Sequence, residues 1–258
     1  MPAVTSTDLD LWLAGLGPYV EAATGGDSGK QERLYTLAIA AAHTRFEQEL
    51  QMAIDKKVIK MQPDSTLVKG EDYDEEEAPL DYISGQISTS RLPRYRLRRR
   101  PVLSVERLLL AFSPEYTVLT VPAQWVRLNK HMGTVDIVPV GASAQVALQM
   151  GMWFAPLVAQ DWPWRAIPQF VCIDYTAGFE NPETDPALDE MRPALLRAAA
   201  AEVGRSLRNL LPTTISVDGL THSLDPLYQR LEQYEKETQD FLRAWQRRNR
   251  PPRLVVIG

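Results

Sequence analysis

Residues 170–211 constrain this chain more than any other stretch, because they read in order as an apolar strand, a turn and a long helix. Phe170-Val171-Cys172-Ile173-Asp174-Tyr175 is dominated by β-branched and aromatic residues and predicts a strand. Thr176 to Pro182 breaks it, since Gly178 tolerates positive φ and Pro182 has no backbone donor. Asp185-Pro186 is a helix-start signal, a capping carboxylate followed by proline at the first helical position. Leu188, Met191, Leu195, Ala199, Val203, Leu207 and Leu210 then recur every three or four residues, the spacing of one buried helical stripe. Pro193 falls inside that stripe. An interior proline costs about 3 kcal/mol, so the pattern predicts either a kink or a separate first turn with the main helix starting at Pro193.

At 258 residues the chain can bury the core of one large domain or two modest ones. Its apolar fraction of 45% and charged fraction of 24% place it among ordinary soluble globular proteins. Asp8 and Asp10 occupy the place where a signal peptide carries its basic region, and no apolar run approaches the roughly 20 residues of a membrane span. A soluble, non-secreted protein without a membrane partner is therefore expected. The lone Cys172 excludes an intrachain disulfide and a cysteine zinc cluster, and in an apolar strand it reads as a core residue. A net charge of −5 argues against a chain that works mainly by gripping phosphates.

Thr7 to Ala23 predicts a short amphipathic helix capped by Thr7 or Asp8 and weakened at Gly17-Pro18. After a loop at 24–29, a stronger helix is expected from about Lys30 to Ile54. An acidic cluster fills 71–81, including Glu75, Glu76 and Glu77. It lacks the alternating ligands and turn glycine of a calcium loop, so it reads as a solvated loop. The sign then reverses at 91–101, where Arg94, Arg96, Arg98, Arg99 and Arg100 interleave with Tyr95 and Leu97. That pattern suits a strand with one charged face for a neighbouring subunit or partner, or contact with a nucleic-acid backbone. Residues 102–112, 116–121, 125–128, 134–138 and 145–150 predict short strands, with Asn129 to Gly133 as a hairpin connection. Trp153, Trp162 and Trp164 suit core filling at a junction or docking of a partner. A polar loop is expected over 213–225, then a terminal helix opened by Asp225-Pro226 with a stripe of Leu227, Leu231, Tyr234, Thr238, Phe241 or Leu242, and Trp245. Past the basic Pro251-Pro252 hinge, Leu254-Val255-Val256-Ile257 forms an apolar strand. It can add to a sheet edge on another chain or pair with this protein's own β region.

Chemistry leaves little trace. His43, His131 and His222 are scattered, without the carboxylate or cysteine spacing of a metal site. Nucleophile-elbow, phosphate-loop and dinucleotide patterns are missing, and Gly25-Gly26-Asp27-Ser28-Gly29-Lys30 lacks the strand and spacing of a phosphate loop. The expectation is a non-enzyme with no catalytic residue, no metal and no cofactor.

Ile173-Asp174-Tyr175-Thr176-Ala177-Gly178-Phe179, with the prolines and alanine-rich helix that follow, resembles the strand-to-helix passage of tailed-bacteriophage head-tail connector (adaptor, or neck) proteins. The blocks 100–106, 122–128 and 133–139 look like the β insertion of some of these connectors, and Ser216-Val217-Asp218-Gly219-Leu220 before the terminal helix resembles them at a third place. The resemblance implies a structural virion protein. Copies would form a ring, twelve to match the portal, beneath the portal protein. The ring would extend a channel through which duplex DNA passes without specific binding, and would meet the next neck or tail protein. It implies the virion neck as location, with the host cytoplasm during assembly. It also implies that the C-terminal arm reaches the portal through Trp245, Arg247, Arg248, Arg250, Arg253, Leu254, Val255, Val256 and Ile257. Glu75 to Glu77 are expected to face Arg94 and Arg96 to Arg100 across subunits. The alternatives are a DNA-binding accessory factor of phage assembly, using its arginine clusters on phosphates, or a tail or baseplate component.

The expected fold is α+β: a helical bundle from N- and C-terminal segments with an inserted small antiparallel β domain. The expected divisions are N-terminal helices at 1–62, the β-rich insertion at 63–165, a helical core at 166–246, and a basic hinge with its apolar arm at 247–258.

Overall fold

The computed structural model describes residues 3–13, 17–83, 94–113, 116–138, 166–210, 214–217, 220–223 and 225–248. The chain divides into two units, Met1–Ile54 with Asn181–Gly258, and Asp55–Glu180. The boundaries expected at 62/63 and 165/166 thus fall at 54/55 and 180/181. The strand expected to open the helical core belongs instead to the β unit.

In the first unit, helices α1 (Ser6–Trp12) and α2 (Gly17–Thr24) precede α3 (Ser28–Leu50), α4 (Met191–Leu210) and α5 (Asp225–Arg248). The cap of α1 is Thr5, two residues before the predicted Thr7. Its hydroxyl accepts from the Asp8 N–H, and Asp8 returns the favour to the Thr5 N–H, a capping box. Gly17-Pro18 opens α2 rather than weakening a longer helix. Asp27 caps α3 by accepting from the Gly29 and Lys30 N–H groups, so the glycine-rich stretch is a helix start and not a phosphate cradle. Pro193 sits in the first turn of α4, where its missing N–H costs nothing, and Asp185 caps a separate 3-10 turn at Pro186–Leu188.

Helix α4 is the centre of this unit, packing against α1, α2, α3 and α5. Its alanines permit that: Ala194, Ala198, Ala199, Ala200 and Ala201 are all buried, along with Leu195, Val203 and Leu207. Gly204 marks the closest approach. A Cβ there would lie 2.1 Å from Leu231 Cδ1 on α5. Phe46 on α3 stacks with Phe241 on α5 at 6.2 Å. Glu235 joins three helices by accepting from Arg45 of α3 and Arg205 of α4, each at 2.9 Å.

The second unit is built on a six-stranded sheet. Its strands are β1 (Lys57–Met61), β2 (Glu75–Glu77), β3 (Leu80–Ile83), β5 (Val102–Ser113), β6 (Tyr116–Thr120) and β9 (Ala166–Ala177), in the order β2-β1-β9-β5-β6 with β3 also on β9. One edge of β9 is shared end to end by β1 and β3, and the other is taken by β5. A smaller sheet, β4 (Arg94–Arg96), β8 (Thr134–Ile137) and β7 (Val126–Asn129), lies in the order β4-β8-β7. Gly133 closes the β7–β8 connection at φ +61, as its sequence predicts. Gly178 ends β9 at φ +109, where a Cβ would meet the Asp55 carbonyl oxygen at 2.2 Å, so only glycine fits.

The expected architecture requires correction. The β unit is not a small antiparallel insertion: β1 and β2 run parallel, so its main sheet is mixed as well as six-stranded. The helical unit is not a two-ended bundle either. Residues expected to form a polar loop between α4 and α5 make an antiparallel hairpin, β10 (Thr214–Val217) with β11 (Leu220–Ser223). The strand expected at 145–150 and the tryptophans at 153, 162 and 164 lie outside the described residues.

Candidate functional site

The acidic cluster and the basic segment both fall in the β unit, and the fold brings part of each together. Strand β2 pairs with β1 through Ile59, Lys60 and Met61, which turns Glu75 and Glu77 to one side and Glu76 to the other. Arg99 reaches Glu75 in a bidentate contact, its Nη2 2.7 Å and its Nε 3.1 Å from the two carboxylate oxygens. Glu77 is buried. Its Oε2 accepts from the Tyr175 hydroxyl at 3.1 Å, and that hydroxyl accepts from the Arg99 N–H at 3.2 Å. Burial raises the Glu77 carboxyl above the ordinary range. The Tyr175 hydrogen bond opposes this, Glu75 adds to it, and Arg98 and Arg99 pull the other way. Burial likewise raises the Tyr175 phenol.

The expected intersubunit set is therefore redistributed. Glu75 and Arg99 meet within one chain, and Glu77 is a core residue tied to β9. Arg94 forks onto Asp136 of β8, Nε 2.6 Å and Nη2 3.0 Å from its two oxygens. Glu76, Arg96 and Arg98 are exposed, and Arg100 is half-buried, its guanidinium held below its usual pKa by burial and then by Arg96.

Sequence reading missed the residues that complete this basic surface. Tyr95 and Val135 face inward, so Arg94 and Arg96 face out with Thr134 and Asp136. Arg127 stands directly opposite Asp136 on β7, and Lys130 is exposed in the turn that follows. The hairpin connection at Asn129–Gly133 carried the signal, because its register alone places Arg127 against Asp136.

A second overlooked carboxylate is structural. Asp174 on β9 is buried. Its Oδ1 accepts from the Met61 N–H at 3.0 Å, and its Oδ2 accepts from Arg107 Nε at 2.8 Å, so it ties β1 and β5 to β9. Cys172 is buried as expected, its thiol pushed up to about 11 first by burial, and its sulfur sits 3.3 Å from Gln62 Oε1.

Of the proposed portal-binding residues, Trp245 is half-buried and packs on Phe241 at 5.7 Å. Arg248 lies over the Trp245 ring and pairs with Glu190 at 2.9 Å, while Arg247 is exposed. Arg250, Arg253 and Leu254 to Ile257 lie outside the described residues.

Among the described residues no group of three or more His, Cys, Asp or Glu side chains is placed to hold a metal ion, and no helix is long and apolar enough to cross a membrane. No protein-family model matches the chain, and no curated protein matches it.

Proposed function

We propose that this chain is a structural neck subunit of a tailed bacteriophage, its copies forming a ring of twelve between the portal and the next neck or tail protein. The reading rests on the resemblance at Ile173 to Phe179 and on one structural observation. The buried charged groups Asp174 and Glu77 are spent on holding strands together, while exposed Arg94, Arg96 and Arg127 gather on the β4-β8-β7 sheet and exposed Glu71, Asp72, Asp74 and Glu76 on another segment of the same unit. Surfaces of opposite sign on one subunit are what a heterologous, ring-closing contact uses. The C-terminal arm is the part proposed to reach the portal. Loss of the protein from an otherwise complete phage should leave DNA-filled heads and finished tails unjoined. Virions that still join heads to tails would refute the reading.

The basic face of β4-β8-β7 favours one alternative, an accessory factor that binds duplex DNA by its phosphates. A neck subunit should bind DNA weakly, with a dissociation constant no better than about 10⁻⁴ to 10⁻⁶ M at physiological salt. A gel shift at lower protein concentration would favour the accessory factor.

A further inference from the structure

We propose that the outward face of the β4-β8-β7 sheet docks the acidic segment Glu71–Glu76 of a second copy of this chain. The proposal rests on the ring reading and gives its charged contact specific residues.

Arg94 and Arg96 stand two residues apart on β4 and point to the same side, since Tyr95 between them is buried, and exposed Arg98 follows in the bend after the strand. The first two side chains therefore start about 7 Å apart along the strand. Arg127 lies two strands away in the Arg94–Asp136 row, and Lys130 follows in the turn. Asp136 is the sole carboxylate on these three strands, and Arg94 already holds both its oxygens. Arg96, Arg98, Arg127 and Lys130 form no ion pair among the described residues, in a chain whose net charge is −5. Like charges gathered on one small sheet repel, and an anionic partner relieves that repulsion.

The same unit carries the complementary set. Glu71, Asp72 and Glu76 are exposed. Asp72 is oriented by the Val68 N–H, 2.8 Å from its Oδ2, and Glu71 and Glu76 form no ion pair among the described residues, Glu76 having Lys60 as its register partner on β1. Within one copy Arg99 pairs with Glu75 across these two segments. What is left over on each side has the opposite sign to what is left over on the other, so a second copy can satisfy both. Because every copy presents both surfaces, the contact is head-to-tail and repeats.

The test is sedimentation velocity on the full chain in 50 and 500 mM salt. Wild-type protein should associate in the lower salt and at least about tenfold more weakly in the higher, where screening is much stronger. Arg96→Glu/Arg127→Glu and Glu71→Arg/Glu76→Arg should each remain monomeric, with circular dichroism spectra and melting like wild type because all four sites are exposed. An equimolar mixture of the two variants should recover association, since each supplies the sign the other has lost. A mixture that stays monomeric, or a wild type that never associates, overturns the proposal. Variants that assemble like wild type overturn it too, yet leave the ring reading intact. A monomeric wild type that shifts duplex DNA, with the shift lost in Arg96→Glu/Arg127→Glu, assigns the face to phosphates instead.

Discussion

Replacing Gly204 by alanine separates the packing described here from ordinary helix behaviour by the sign of the effect. In an exposed helix interior, glycine to alanine stabilises by about 1 kcal/mol through propensity alone. At Gly204 the added Cβ would lie 2.1 Å from Leu231 Cδ1, 2.8 Å from Cδ2 and 2.9 Å from Cγ. Comfortable carbon contacts lie near 3.5–4.0 Å, so this contact must open by roughly 1.4 Å or more, either by α4 and α5 parting or by Leu231 leaving its rotamer. Inserting a methyl group into a packed core costs about 1–3 kcal/mol. With the propensity gain subtracted, Gly204→Ala should destabilise by up to about 2 kcal/mol. Urea denaturation followed by far-ultraviolet circular dichroism would read this as a lower midpoint at unchanged slope. In a Leu231→Ala background the obstructing atoms are gone, and the same Gly204→Ala change should stabilise by about 1 kcal/mol. Stabilisation in both backgrounds would show that the two helices do not approach as closely as this geometry requires.

Three further outcomes are expected. The Glu77 carboxyl is raised in the folded state, so its stability contribution is complete below its unfolded pKa and is lost as pH rises through the folded value. Glu77→Gln should therefore gain stability relative to wild type at pH 7.5 but not at pH 4, measured by thermal melts across that range. Arg107→Met leaves buried Asp174 with only the Met61 N–H of its two described partners; because Arg107 is 45% exposed and water can follow it, the loss should be about 2 kcal/mol, below the range for a fully buried pair. Adding Asp174→Asn should recover part of it in chemical denaturation. Deleting 254–258 should leave the melting of the chain unchanged while abolishing capture by purified portal protein, and retained capture would remove the arm from the contact.

Periodicity made much of the fold legible. The stripe of α4, the terminal helix and the strands β5 to β8 follow from spacing and from turn residues such as Gly133. Strand β2 was hidden because three consecutive glutamates have low strand propensity and read as solvent-exposed. The partner that satisfies Glu77 on the inward side, the Tyr175 hydroxyl, lies 98 residues away in sequence. The parallel pairing of β1 with β2, which makes the main sheet mixed, is likewise a non-local choice. Hairpin β10–β11 was obscured by its serine and threonine content, which serves loops as readily as strands. The charged surfaces were legible as segments but not as pairs. Arg99 meeting Glu75 in one chain, and Arg127 and Lys130 joining the basic face, depend on how the strands are ordered.

The position of β9 in the chain bears on how the protein is made. Strands β1, β3 and β5 all wait for a neighbour that is the last strand of their unit to be synthesised, as the pairing of Lys57 with Ala177 shows. Until that segment emerges, the earlier strands expose unsatisfied edges, and contacts so distant in sequence form slowly. The nascent β unit is thus most vulnerable to wrong partners just before its synthesis ends, when chaperone protection would matter most.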